Sequence, residues 1–229
     1  MNHVKYDKWA DYILSIFHHF GIHGKSILEI ACGTGNLSIF LLKHGYDVTG
    51  MDLSLAMLKV AADKLKENGM PGKLVAANMT SIPLKKKFDA VLCLYDSLNY
   101  LKDPADFKKA LDEAYTIIKG GGLFIFDVCT LLNSQVFFSN KSMFEDFGDI
   151  KYDRKCHFHE SENIQENIFI IEHNGERFVE KHLQRIYELS EVREIISGSL
   201  FKMRGMFDDL TFNQGNESSE RVYFVLQKI

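Results

Sequence analysis

The sequence predicts an α/β protein built on a doubly wound, mostly parallel seven-stranded sheet with an inserted antiparallel β unit. Three observations carry that prediction. Over the first 130 residues, helix-period and strand-period segments alternate, as parallel strands joined by crossover helices require. After Thr130 the chain changes to aromatic, charged and β-branched residues at period two. From residue 189 a short helix and two closing strands return it to the first sheet.

Each element has a local reason. Helical spacing runs from Trp9 to Phe20, followed by a strand at Ser26–Ala31 and a helix from Leu37 to His44 that closes at Gly45. A second strand, Tyr46–Met51, ends at Asp52. Ser54 then caps a helix whose stripe is Met57, Leu58, Ala61, Ala62 and Leu65, stopped by Gly69 and Pro71. Lys73–Ala77 and Phe88–Leu94 are the third and fourth strands, the latter apolar enough to be buried on both faces. Asp103-Pro104 starts a helix with proline at its first position, along the stripe Phe107, Ala110, Leu111, Ala114, Ile117 and Ile118. Gly120-Gly121-Gly122 ends it before the strand Leu123–Val128. Residues 131–188 form the insertion, with His173-Asn174-Gly175-Glu176 as a hairpin turn, while 1–130 and 189–229 form the core. Strands at Leu200–Phe207 and Arg221–Gln227, joined by the polar stretch Asn213–Ser219, complete the sheet.

Composition narrows the partners. The chain has 229 residues, is 46% hydrophobic and 25% charged, and carries a net charge of −4. That is enough chain for one sizeable core, and the charge supplies no positive field to attract nucleic acid. No run of about 18 apolar residues could span a membrane and no signal sequence opens the chain. The expectation is a cytoplasmic protein, monomeric or homodimeric. Cys32, Cys93, Cys129 and Cys156 are far apart and read as reduced, structural thiols. His157 and His159 share a strand face, but nothing nearby completes a metal site, so no metal is expected.

In an open parallel sheet, ligands sit beyond the carboxyl ends of the strands. Those ends carry Glu29 to Gly35, Asp52, Asn78-Met79 and Leu94 to Tyr100. Gly33 and Gly35 admit a ligand close to the backbone, Asp52 can accept hydrogen bonds from two ribose hydroxyls, and Asn78 with Met79 can meet the edge and face of an adenine. Three ligand classes use such a turn: phosphates, dinucleotides and S-adenosylmethionine. The phosphate loop pattern GxxxxGK[ST] is absent, and Ser38 stands where a dinucleotide fingerprint starting at Gly33 has its third glycine or an alanine. With Glu29 in the strand and no Lys or Arg in the turn, a ligand bearing ammonium and sulfonium charges suits the site better than one bearing phosphates.

The run Glu29-Ile30-Ala31-Cys32-Gly33-Thr34-Gly35 resembles the first motif of class I S-adenosylmethionine-dependent methyltransferases, which have a Rossmann-like fold. Val48-Thr49-Gly50-Met51-Asp52-Leu53-Ser54 is similar to their second strand, whose terminal acid holds the ribose. Ala31 replaces a glycine, and Asn78 stands where an aspartate commonly meets the adenine amino group. The stretches Tyr6 to Tyr12, Asp96 to Leu101, Gly121 to Val128, His182 to Tyr187 and Glu220 to Val225 resemble a small-molecule subgroup, as in sugar N-methyltransferases, with a β-stranded lid inserted after the fifth strand. The chain ahead of the first helix is short beside such relatives, in which extra residues help to cover the cofactor.

The resemblance implies that Tyr6, Trp9, Glu29, Ala31, Gly33, Gly35, Asp52, Leu53, Asn78, Met79 and Leu94 hold S-adenosylmethionine. It implies a small-molecule acceptor, methylated on nitrogen or oxygen, near Asn99, Arg185 and Tyr187. Asp96, Tyr100 and His182 are the candidates to take the acceptor's proton. Leu94-Tyr95-Asp96-Ser97 lacks the [DNS]PP[YFW] pattern of enzymes that methylate the amino group of adenine or glutamine. An NAD(P)-dependent oxidoreductase, an S-adenosylmethionine-binding module without catalysis, and a methyltransferase acting on RNA or protein stay open as alternatives.

Overall fold

The computed structural model describes residues 6–229. The opening helix α1 (Tyr6–His19) buries Ala10, Ile13, Ile16 and Phe17 on one stripe. It is followed by β1 (Ser26–Ile30), α2 (Asn36–Lys43), β2 (Asp47–Asp52), α3 (Leu55–Glu67), β3 (Leu74–Ala76) and β4 (Phe88–Cys93). A turn of 3-10 helix at Ser97–Tyr100 leads into α4 (Pro104–Ile117) and β5 (Ile118–Cys129). After the insertion come α6 (Leu189–Ser197), β10 (Lys202–Asp208) and β11 (Arg221–Gln227).

These strands form one seven-stranded sheet in the order β10-β11-β5-β4-β1-β2-β3. β11 is antiparallel to both its neighbours, and the pairings among β1 to β5 are parallel. Order reverses between β1 and β4, so α2 and α4 leave the sheet on opposite faces and a crevice opens beyond the strand ends. β4 supplies both layers: Val91 and Cys93 join α4 and α6, while Ala90 and Leu92, with Leu94 just beyond the strand, join α1 and α2. That is why its sequence is an unbroken apolar run.

The insertion is a separate four-stranded antiparallel sheet, β6 (Lys141–Asp146), β7 (Ile150–His159), β8 (Ile164–His173) and β9 (Glu176–Arg185), in sequence order. Its β8–β9 hairpin closes through Asn174 and Gly175, both at positive φ (53° and 81°), the two-residue turn that an Asn-Gly pair favours. Three local expectations need correction. Residues 131–138 are helical, a turn α5 (Leu131–Asn133) capped by Thr130 and continued as a π turn, because the Thr130 hydroxyl accepts the Asn133 N–H. Met57 and Ala62 are exposed, since α3 lies against the sheet only along Leu58, Ala61 and Leu65. The chain is already extended at Ile118, so the glycines 120–122 fall inside β5 instead of ending α4.

Candidate active site at the strand ends

β1 stops at Ile30 and the chain turns sharply through Ala31 (φ 55°), Gly33 (φ 55°) and Gly35 (φ 73°) into α2. The two glycines do different things. A Cβ on Gly33 would meet no atom within 4 Å, so its backbone borders open space at the mouth of the crevice. On Gly35 it would come 3.1 Å from the Ala61 Cβ, so this glycine serves the approach of α3. The turn is tied to β2 through Asp52, whose Oδ2 accepts the Gly33 N–H and whose Oδ1 accepts the Ser54 N–H, each at 2.8 Å. Each oxygen keeps a lone pair for a further donor.

Glu29 is buried beneath this turn and accepts a hydrogen bond from the Ser38 hydroxyl. Burial pushes its carboxyl up to about 7, and nearby Asp52 adds to the shift. Although the turn itself has no basic residue, folding brings Lys64 from α3 against it, with Nζ 3.0 Å from Thr34 Oγ1 and 2.7 Å from Asn36 Oδ1. A positive charge therefore lies beside the turn after all. It binds side-chain oxygens of the loop and leaves the Gly33 backbone facing the crevice.

The ends of β4, β5 and β11 build a second cluster. Tyr95 (φ 64°) and Asp96 (φ 48°) are successive non-glycine residues in the left-handed region. Asp127 holds them there: its Oδ1 accepts the Tyr95 N–H at 2.7 Å and its Oδ2 accepts the Asp96 N–H at 2.9 Å. Arg221 donates to the same Oδ2 and lies 2.8 Å from Asp96 Oδ1, with its guanidinium 5.4 Å from the Trp9 ring and 5.5 Å from the Tyr95 ring. Burial works against Arg221's charge, but Asp127 and its other acidic neighbours hold it well above its ordinary value. Burial pushes Asp127 up while Arg221 pulls it down. Three donors converging on two oxygens, one of them a guanidinium, favour the carboxylate form of Asp127.

Asp127, Arg221 and Gln184, which donates to Asp96 Oδ2 at 2.6 Å, are the residues that sequence reasoning missed. The signal was present: Asp127 interrupts the apolar run Leu123–Val128, and Arg221 opens another such strand. Only the pairing of β11 with β5, which sets Arg221 opposite Cys129 and Tyr223 opposite Asp127, unites them.

The remaining candidates divide. Tyr100 reaches the second sheet, its hydroxyl 2.8 Å from His182 Nδ1, and His182 Nε2 lies 3.4 Å from Glu180. Burial pushes the Tyr100 phenol up to about 12, so it keeps its proton at neutral pH and donates to Nδ1. The Trp9 ring lies 5.5 Å from Tyr95 in a tilted arrangement, partly buried Tyr6 packs against the same core cluster as Trp9, and Leu94 is buried at the end of β4. Leu53 is 71% exposed next to Asp52, and Met79 is half-buried.

Four residues expected to contact ligand also have partners within the protein. Asn78 is exposed, and its Oδ1 accepts both the N–H and the hydroxyl of Thr80. Asn99 is fully buried, donating to the Arg185 carbonyl and accepting the Cys129 N–H. Arg185 pairs with Glu191 at 2.7 Å and covers the ring of Tyr187, whose own hydroxyl bonds the Leu101 carbonyl in the core. In the folded chain Asn99, Arg185 and Tyr187 fasten the second sheet to the first, because their polar atoms find protein partners there. Among the described residues no cluster of three His, Cys, Asp or Glu could hold a metal ion, and no helix is long and apolar enough to cross a membrane.

A glycine turn after the first strand, an acid ending the second and a sheet with one antiparallel strand define an α/β protein for a nucleoside-bearing ligand. Residues 27–122 match the family described as methyltransferase domain. A protein of Geobacillus sp. (strain WCH70) designated a methyltransferase, with no acceptor in its name, is 31% identical over 234 residues, covering 100% of this chain and 95% of its own. The crystal structure of an S-adenosylmethionine-dependent methyltransferase from Clostridium acetobutylicum ATCC 824 aligns at TM-score 0.89 with 25% identity, over 99% of this chain and 93% of that one. The sugar N-methyltransferase KedS8 from Streptoalloteichus sp. ATCC 53650 shares the fold at TM-score 0.78 and 19% identity, over 98% and 89%. The chain belongs to the S-adenosylmethionine-dependent methyltransferases. The site's chemistry fits that cofactor: the open side of Gly33 leaves room, and Asp52 has acceptor capacity for hydroxyls.

Proposed function

We propose that the protein methylates a nitrogen or oxygen of a small-molecule acceptor, using the crevice over β1, β2 and β4 for S-adenosylmethionine and the second sheet, within residues 131–188, as a lid over the acceptor. The observation that carries this is the Tyr100–His182 contact, because it sets a histidine of the lid directly against a tyrosine of the strand-end loop, a pair that can pass a proton. The sugar N-methyltransferase likeness supports a small acceptor, and the net charge of −4 disfavours RNA.

The cofactor supplies an electrophilic methyl group on sulfur. The protein's share is to hold the acceptor in line and to keep its nucleophilic lone pair free, work that orientation alone can accelerate by several orders of magnitude. Tyr100 Oη takes the acceptor's proton as its own passes to His182 Nδ1. Glu180 beside Nε2 stabilises the imidazolium that results. Arg221 and Gln184 each engage one oxygen of Asp96, which anchors the loop on which Tyr100 sits and favours Tyr100 with His182 over Asp96 for that proton.

Calorimetric titration with S-adenosylmethionine, S-adenosylhomocysteine and NAD, followed by an acceptor screen that reads S-adenosylhomocysteine release from amines, phenols and transfer RNA, tests the proposal. Binding of both sulfur ligands with turnover of a small acceptor is expected. Tight NAD binding, or turnover confined to RNA, would overturn it.

A further inference from the structure

Arg154 stands apart from the protein's other partly buried arginines. Arg185 and Arg221 each face a carboxylate within 4 Å, while Arg154, half-buried on β7, has none among the described residues. It is nonetheless firmly held. Nε and Nη2 point at Asn167 Oδ1, at 3.2 and 2.8 Å, and the guanidinium lies 5.1 Å from the Phe138 ring and 5.3 Å from the Phe169 ring. Asn167 therefore uses one edge of the fork. Beyond Asn167 the guanidinium has the thiol of Cys156, a weak acceptor, as a neighbour; the edge formed by Nη1 and the outer hydrogen of Nη2 meets no oxygen acceptor among the described residues, and two parallel donors are the geometry that binds an oxyanion bidentately.

That edge belongs to the acceptor side of the site. In the sheet register Arg154 pairs with Phe169, and Asn167 pairs with His182, so all four side chains share one face of the lid. The Phe169 ring packs edge-on against His182 at 5.0 Å, and His182 bonds Tyr100. The Arg154 charge also reaches the strand-end loop, where it opposes the burial that raises the phenols of Tyr95 and Tyr100. A guanidinium with reduced hydration and no protein counter-ion, one aromatic ring from the proton-handling pair, is a charge that a ligand can neutralise.

We infer that the methyl acceptor is an anionic small molecule whose carboxylate or phosphate group is bound by Arg154 while its nucleophile lies at Tyr100. The inference rests on the methyltransferase reading above and adds the acceptor's charge to it.

The test is calorimetry on the full-length protein saturated with S-adenosylhomocysteine, using two matched probe series. One is glycine, glycinamide and aminomethylphosphonate; the other is 3-aminobenzoate, 3-aminobenzamide and 3-aminophenylphosphonate. At least one anionic member should bind tenfold or more tightly than its neutral amide, and the carboxylate and phosphonate arms tell which oxyanion is preferred. Arg154→Met should erase that ratio. Arg154→Lys, which keeps the charge without the fork, should retain only a few-fold preference. Both variants should bind S-adenosylhomocysteine as the wild type does, which also reports that they are folded. Equal or absent binding across both series in the wild type, or an anion preference that survives in Arg154→Met, overturns the inference and leaves the methyltransferase reading standing. Failure to bind S-adenosylhomocysteine would overturn both.

Discussion

Asp127 accepts the backbone N–H of Asp96 at 2.9 Å and so fixes a left-handed residue at the mouth of the site. Its other oxygen does the same for Tyr95, and Arg221 neutralises the carboxylates of both Asp127 and Asp96. Two adjacent non-glycine residues at positive φ cost free energy that this buried group offsets. Asp127→Asn keeps an acceptor oxygen but loses the charge pairing, and should destabilise the protein by about 3 kcal/mol, the cost of removing one partner from a buried pair. Arg221→Met should cost about as much, and the double variant less than the sum. Urea unfolding measures all three; strict additivity would show that the two side chains do not act together.

Glu29 makes stability depend on pH. Its carboxyl rises from an ordinary 4.5 to about 7 on folding, because burial penalises the charged form. The folded state then binds the extra proton between those values, so stability is fully present below about pH 4.5 and falls as pH rises towards 7. By linkage the change is about 3 kcal/mol. Thermal unfolding between pH 5 and 8 should show this slope, and Glu29→Gln, which cannot ionise, should remove this contribution. An unchanged slope in the variant would place the titration elsewhere.

Ala31 occupies a position suited to glycine, with φ 55°. The left-handed conformation costs a residue with a Cβ roughly 1–2 kcal/mol, while glycine adds about 0.4–1 kcal/mol of unfolded-chain entropy. Ala31→Gly should therefore be stabilising by up to about 1 kcal/mol, a rise of roughly 2–4 °C in Tm at this size. Differential scanning calorimetry decides it, and a fall in Tm would mean that the methyl group packs usefully.

Asn99 is fully buried and bridges the Arg185 carbonyl and the Cys129 N–H. Asn99→Ala strands both groups and should cost about 2–3 kcal/mol. If its role is to fasten the lid, acceptor KM and kcat should change no more than lid docking does, which hydrogen exchange across β9 can follow. A large KM effect with undisturbed exchange would instead make it an acceptor contact.

Tyr100→Phe and His182→Gln each break the proton path without touching the crevice over β1 and β2. Each should lower kcat about 100-fold for an acceptor that must lose a proton before methyl transfer, with the Kd for S-adenosylmethionine unchanged. Activity retained in both variants would leave orientation alone as the source of rate.

Much of this could be read along the chain because it depends on near neighbours. The caps at Ser54 and Asp103, the Asn174-Gly175 hairpin and the both-faces burial of β4 follow from propensity, turn chemistry and period, all local. The polar residues of the loop and the lid were harder. Asn99 and Arg185 are plausible ligand groups in sequence, and nothing near them in the chain reveals that they bond to each other across 86 residues.

The sheet, its insertion and the turn bearing Gly33 were legible in the amino-acid order alone, since hydrophobic period and backbone freedom are written residue by residue. Which charges meet was settled by folding. It placed Arg221 between Asp96 and Asp127, brought Lys64 to the glycine turn, and left Arg154 against Asn167 and Phe169 with no carboxylate within 4 Å among the described residues. The difference is one of range: a charge's effect is set by its distance and burial in space, and both arise only when distant strands pair.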